Sequence, residues 1–177
     1  MTFQRALISS ATVALVIAAP AMASKTLYRG GEAYSLFDTE SGWEVWANET
    51  TGGCFLQDRE NYGNLVQMGL RTDDTDSTFI GVWNDETEIL APGEEIDVTL
   101  KVDGTSYPFV AKANMAPVSE GHHGAYIWVD NQDFISDVYA GTQMQVNVAD
   151  SVDFIVDLEG TRKALDRAAD CYAMLNS

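Results

Sequence analysis

Basic side chains are scarce in this chain. Ten Lys and Arg stand against 27 Asp and Glu, a formal charge of -17 over 177 residues. Such a surface repels nucleic acid and anionic lipid headgroups, which are held by basic patches. Cysteine is almost absent: Cys54 and Cys171 are the only two. They form no C-x-x-C redox motif, and two thiolates fall short of the four ligands of a closed zinc site. Histidine occurs only as the pair His122-His123. There is no G-x-S-x-G, and no serine is set apart by a strand-to-helix glycine turn, so the elbow that presents a nucleophilic serine is missing. A Ser-His-Asp triad assembled from distant positions stays open. After the N-terminal segment, no apolar run is long enough to span a bilayer.

That N-terminal segment is the most informative stretch present. Arg5 supplies a positive start, and Ala6 to Ala19 is nearly all apolar, with Leu7, Ile8, Val13, Leu15, Val16 and Ile17. Pro20-Ala21-Met22-Ala23 follows, the small-x-small pattern of a signal-peptidase site. The apolar run is shorter than the ~20 residues of a membrane span, and no cysteine near the site marks a lipoprotein. The reading is a cleaved signal peptide at residues 1–23 and a single exported β-rich domain at 24–177, with no stable membrane insertion. Removal of Arg5 leaves nine basic and 27 acidic side chains, a formal charge of -18. The expected location is periplasmic, or secreted. In that oxidising setting an isolated cysteine pair is expected to be a disulfide, Cys54 to Cys171, rather than two free thiols. The chain-entropy account values so large a loop at ~4–5 kcal/mol.

The remainder reads as short strands between turn signals. Trp43 to Ala47 alternates, Gly52-Gly53 turns into Cys54-Phe55-Leu56, and Val66, Met68 and Leu70 share one face. Thr78 to Trp83 is a short apolar, β-rich run. Ile96 to Val102 has apolar residues at strict period two, so one face meets a core and the other water. Asp103-Gly104 follows directly and predicts a two-residue hairpin into Thr105 to Ala113. Pro108 predicts that this second strand lies at an edge or begins late. Ala125 to Val129, Gln143 to Val148 and Val152 to Leu158 are further strands. Asp133 to Tyr139 has helical spacing. Thr161 to Leu175 lacks Pro and Gly and aligns Ala164, Ala168, Cys171 and Leu175 on one face, with Gly160-Thr161 offering a turn and an N-cap. Residues 24 to about 42 read as a loose leading segment, and Ala116 to Gly124 as the longest gap. The fold class is therefore mainly β (α+β). An antiparallel β-sandwich or partly open barrel of about 7–9 short strands carries a C-terminal helix packed on it.

Candidate chemistry is sparse. His122 or His123 with Glu120 could seed a metal site, but Gly121 and Gly124 bound this stretch as a loop. Asp73-Asp74-Thr75-Asp76-Ser77-Thr78 clusters oxygen ligands as a calcium loop does, without the Gly and Glu of an EF-hand. Asp130-Asn131-Gln132-Asp133 with Asp137 is alike in composition, and short acidic turns are common because Asp and Asn bond their own backbone. Among 27 acids, some carboxylate pair meets any spacing by chance. Trp43 and Trp46 fall on opposite faces of their strand; Trp83 and Trp128 complete the set, and an exposed Trp46 would mark a contact surface. Arg162, Lys163 and Arg167 sit at the positive end of the last helix, where they pair with acidic strands or mark a contact.

Trp43-Glu44-Val45, Gly53-Cys54-Phe55-Leu56-Gln57 and Leu158-Glu159-Gly160-Thr161-Arg162-Lys163-Ala164-Leu165-Asp166 together resemble the invasion-associated locus B (IalB-like) family of small exported alphaproteobacterial proteins. The chain lacks further cysteines in its second half. The resemblance implies a non-enzymatic periplasmic or surface β-protein and brings no catalytic residues. The function expected is a soluble periplasmic, non-catalytic binding protein of the cell envelope, its partner an unknown protein or envelope component. No catalytic, cofactor-binding or metal residues are assigned, and no cofactor. The alternatives are a calcium-dependent binding module built on the acidic segments, and a small hydrolase or hydrolase inhibitor using His122 or His123.

Overall fold

The computed structural model describes residues 26–29, 31–58, 63–70, 78–85, 91, 93–116, 118–148 and 152–177. The leader at residues 1–23 and the acidic cluster from Asp73 to Ser77 lie outside the described residues. The strands are β1 (Thr26–Arg29), β2 (Glu32–Glu40), β3 (Trp43–Asn48), β4 (Gly53–Asp58), β5 (Asn64–Leu70), β6 (Thr78–Asn84), β7 (Glu95–Val102), β8 (Thr105–Met115) and β9 (His123–Val129). Helix α1 (Gln132–Ala140), β10 (Gln143–Val148), β11 (Val152–Asp157) and helix α2 (Thr161–Leu175) complete the chain. Every pairing is antiparallel, in one open sheet of order β1-β2-β3-β4-β5-β6-β9-β8-β7-β10-β11.

A sheet this wide curls rather than lying flat. Val45, Leu56, Val66 and Ile80 from its first half share one buried cluster with Val98, Leu100, Met144, Val146 and Val156 from its second. The two halves thus close on one core, as the facing layers of a sandwich do. Helix α2 buries Ala164, Leu165, Ala168 and Cys171 in the same cluster. Cys171 is bonded to Cys54 on β4 with a Cα–Cα distance of 6.1 Å. The helix is therefore stapled to an early strand, as the two-cysteine pattern led us to expect.

The β7–β8 hairpin closes through Asp103 and Gly104, both at positive φ (43° and 99°), the backbone of the favoured two-residue turn. Asp103 also reaches across the sheet. Its carboxylate accepts from Thr142 N (2.9 Å), Thr142 Oγ1 (2.8 Å) and Gln143 N (3.1 Å). These donors hold its pKa below the ordinary carboxylate range. Helix α1 starts where Asn131 Oδ1 accepts from the backbone of Asp133 and Phe134, both 3.1 Å away. Phe134 is buried between the rings of Tyr107 and Phe109, with centroids 5.0 and 5.2 Å away. Tyr107 donates to Asp137 on the next turn. That bond to a carboxylate pushes the phenol up to about 12.

Four local expectations need correction. Strands number eleven among the described residues, not 7–9, because residues 26–40 form β1 and β2 rather than a loose leading segment. The register shifts between Leu36 and Asp38, so Phe37 sits in a bulge that breaks the period-two signal. Strand β8 is internal, not an edge. Its pairing with β9 begins only at Lys112, and the hairpin alternation turns Pro108 N away from β7 toward that unpaired side. Thr161 is not the cap of α2. Gly160 takes that position at φ 81° with no side-chain cap, and the Thr161 hydroxyl is buried without a partner among the described residues. Arg167, one of the basic residues of α2, does pair with an acidic strand. It meets Asp38 and Asp170 at 2.7 Å each and lies 5.5 Å over the ring of the bulged Phe37.

Candidate interaction surface

Period-two alternation that sends Trp43, Val45 and Ala47 inward sends Trp46 outward. The register then lines up one outer-face row across six strands: Leu36, Trp46, Phe55, Gly69, Phe79 and Trp128. Gly69 allows the row to close. A Cβ there would come within 2.4 Å of the Phe79 ring and 2.7 Å of Phe55 Cβ. The rings meet edge to face or tilted. Tyr34–Phe55 centroids lie 6.1 Å apart, Phe55–Phe79 6.2 Å, and Phe79–Trp128 and Tyr126–Trp128 5.9 Å each. This geometry suits the ring quadrupoles.

The row is covered at one end and open at the other. Tyr34, Trp46 and Phe55 are buried, with Val118 of the β8–β9 loop packed against them. Beside them runs a polar strip. Glu44 Oε2 accepts from Trp46 Nε1 (3.0 Å) and Gln57 Nε2 (3.1 Å). Gln57 Oε1 accepts from Gln67 Nε2 (2.7 Å) and from Ser119 Oγ of the loop (3.2 Å). Trp83 lies over Gly81, where a Cβ would sit 1.4 Å from its Cη2, and Ala116 closes over Trp83 and Leu65. Beyond the loop, among the described residues, the cover ends. Phe79 and Tyr126 are half-buried, Trp128 is 48% exposed and Val110 on β8 is 58% exposed. On the same outer face Asp97 stands opposite Val110 and Glu95 opposite Lys112, all exposed, and exposed Asp130 lies two positions beyond Trp128.

The sequence picks out other residues that the structure employs differently. Trp46, the tryptophan to watch for exposure, is only 5% exposed; the exposed one is Trp128. Its signal was the alternation of Ala125, Ile127 and Val129 inward against Tyr126 and Trp128 outward. His122 lies in the β8–β9 loop, Nδ1 3.4 Å from Glu120 O, and His123 opens β9 opposite Asn84 and Met115. Asn131 and Asp133 form the start of α1, and Asp137 receives Tyr107. Among the described residues no three of His, Cys, Asp and Glu converge as a metal-binding group.

One open groove of 860 Å³ runs between the β2–β3 turn, the end of β4 and the start of α2. Its polar walls include Asp58, Asp157, Glu159 and Lys163, with neither histidine among its lining residues. Ser41 at its rim donates to Glu40 (2.6 Å), and Asp157 Oδ1 accepts from Glu159 N (2.8 Å). Gly160 is required here, since a Cβ would meet Ser41 Cβ at 2.1 Å. No described helix is long and apolar enough to cross a membrane.

No protein-family model and no curated protein matches the chain. Among solved structures the chain is similar to invasion associated protein B from Bartonella henselae. The TM-score is 0.58 over 79% of this chain and 98% of that one, at 16% sequence identity. The resemblance carried by Trp43 to Val45, Gly53 to Gln57 and Leu158 to Asp166 is thus met by a shared fold: one mainly antiparallel β-architecture with a C-terminal helix.

Proposed function

We propose that this chain is an exported, non-catalytic binding protein of the cell envelope. It docks a protein or envelope component on the outer sheet face at the open end of the aromatic row. The observation that carries the reading is Trp128, half exposed in a row whose other rings are progressively covered. An exposed Trp beside exposed Val110 and half-buried Tyr126 is the composition of a contact hot spot. The address rests on the leader at residues 1–23, on the Cys54–Cys171 bond, which suits an oxidising compartment, and on a fold shared with a protein named for invasion.

Capture from envelope extract tests the reading. Wild-type protein retains a partner that the Trp128→Ala variant releases, while Met174→Ser, an equally accessible apolar position on α2, retains it. No captured partner, together with turnover on a panel of hydrolase substrates, would overturn the proposal in favour of an enzyme.

A further inference from the structure

We infer that the polar strip beneath the β8–β9 loop is a binding site for a neutral saccharide, with the loop as its lid. The site is separate from the open end of the aromatic row, and the inference does not rest on a partner docking there. It starts from two buried atoms. Gln67 is fully buried, and its Oε1 has no hydrogen-bond partner among the described residues; neither has Nε1 of the buried Trp83. Buried polar atoms are rarely left unpaired, and each one so left is costly.

The orientation of the strip follows from its first member. The Glu44 carboxylate accepts, so Gln57 turns its amide nitrogen toward it (3.1 Å). Gln57 Oε1 then faces Gln67 Nε2 (2.7 Å), and the Gln67 oxygen is left over as an acceptor. Gln67 pairs with Gly81, and the Trp83 ring lies over Gly81. A free acceptor and a free donor thus flank one position on the sheet. A hydroxyl group meets both, donating to Gln67 Oε1 and accepting from Trp83 Nε1. A cation would leave the indole N–H unpaired, and an anion would be set against Gln67 Oε1 and the Glu44 carboxylate. The loop already supplies one hydroxyl to the strip, since Ser119 Oγ donates to Gln57 Oε1 at 3.2 Å. Trp46 at one end and Trp83 at the other bring indole rings beside the polar forks, the mixture that lines small-molecule sites. Hydroxyls on the edge of a ring whose C–H faces pack on aromatic side chains are what a pyranose offers. The loop is a short piece closed on itself, with Ala116 N donating to His122 O (3.2 Å) and His122 N to Ser119 O (3.4 Å). It rests on its surroundings through Ala116, Val118 and Ser119, and it lifts to admit the sugar.

The test uses the full exported chain with triacetylchitotriose, cellotriose and maltotriose as neutral probes and trigalacturonic acid as the acidic one. Affinity is measured by calorimetry. At least one neutral trisaccharide binds and the acidic one does not. Gln67→Leu and Trp83→Phe each weaken binding by about tenfold or more, and Met174→Ser leaves it unchanged. Gln67→Leu keeps the test decisive if Trp83→Phe disturbs the packing over Gly81. Ser119→Ala tightens binding, because it removes the hydroxyl that competes for Gln57 Oε1; a purely structural loop would give no gain. In nuclear magnetic resonance spectra the Trp83 indole proton, assigned by its loss in Trp83→Phe, shifts as the sugar is added. Co-sedimentation with purified peptidoglycan sacculi separates an envelope glycan from a free oligosaccharide as the source. Binding of none of the neutral probes, equal binding of the acidic one, or binding unaffected by both Gln67→Leu and Trp83→Phe would each overturn the inference. Capture through Trp128 is read in a separate experiment, so either reading falls without the other.

Discussion

Opening the Cys54–Cys171 bond removes a cross-link that spans 117 residues. In the chain-entropy account a loop of that size constrains the unfolded chain by about 5 kcal/mol. The structure says why the folded state leaves that constraint unstrained in topology. Cys54 pairs with Ala47 near the turn end of the β3–β4 ladder, and Cys171 lies on the buried face of α2, so both ends are already held by packing. The local interactions at the start of α2 support it little. It lacks a side-chain cap, has no acid in its first turn and carries Arg162 and Lys163 at its positive end. For a domain of this size each kcal/mol moves the melting temperature by about 2–4 °C, so full reduction lowers it by about 10–20 °C. The assay compares oxidised and reduced wild-type protein by calorimetry, which leaves both sulfurs in place and avoids the packing loss of an alanine pair. Urea titration adds a second readout. The reduced form has the steeper slope, because its unfolded chain exposes more surface. A melting shift under about 3 °C with an unchanged slope would refute the reasoning.

Three further outcomes follow from single contacts. Thr161→Val removes a buried hydroxyl that has no partner among the described residues and raises stability by about 1 kcal/mol in urea unfolding; a loss of that size would contradict it. Gly160→Ala destabilises by more than about 1 kcal/mol, whereas Gly93→Ala, at a similar φ of 85° but with open space around it, costs clearly less. Equal costs would show that the Ser41 contact gives way freely. Tyr107, raised to about 12 by Asp137, ionises after the ordinary tyrosines in an ultraviolet pH titration. Its folded pKa lies above its unfolded value, so its stabilising effect is complete below about pH 10 and is lost as pH rises through about 12. In Tyr107→Phe that late ionisation step disappears.

Local rules made much of the fold legible. Ile96 to Val102 alternates strictly, Asp103-Gly104 permits two consecutive positive φ angles, and the β7–β8 hairpin follows. Thr161 to Leu175 shows its buried face in Ala164, Ala168 and Cys171, and the helix has those limits. Strands β1 and β2 stayed hidden because the register shift between Leu36 and Asp38 breaks the strict alternation of β2 and β1 is only four residues long. The candidate surface was half legible. Alternation places Trp46 and Trp128 on the outer face alike, but only the path of the β8–β9 loop decides which of them is covered. That path depends on Val118 and Ser119 meeting residues more than fifty positions earlier in the chain, and nothing local in the sequence announces it.

The central claim is that the open end of the aromatic row is where a partner docks. Photo-crosslinking tests it most directly, with a benzoylphenylalanine placed at Trp128 in one protein and at Met174 in another, each expressed in its native envelope. The account predicts a discrete adduct from position 128 and none from position 174. Adducts from 174 alone, or from neither position, would contradict it.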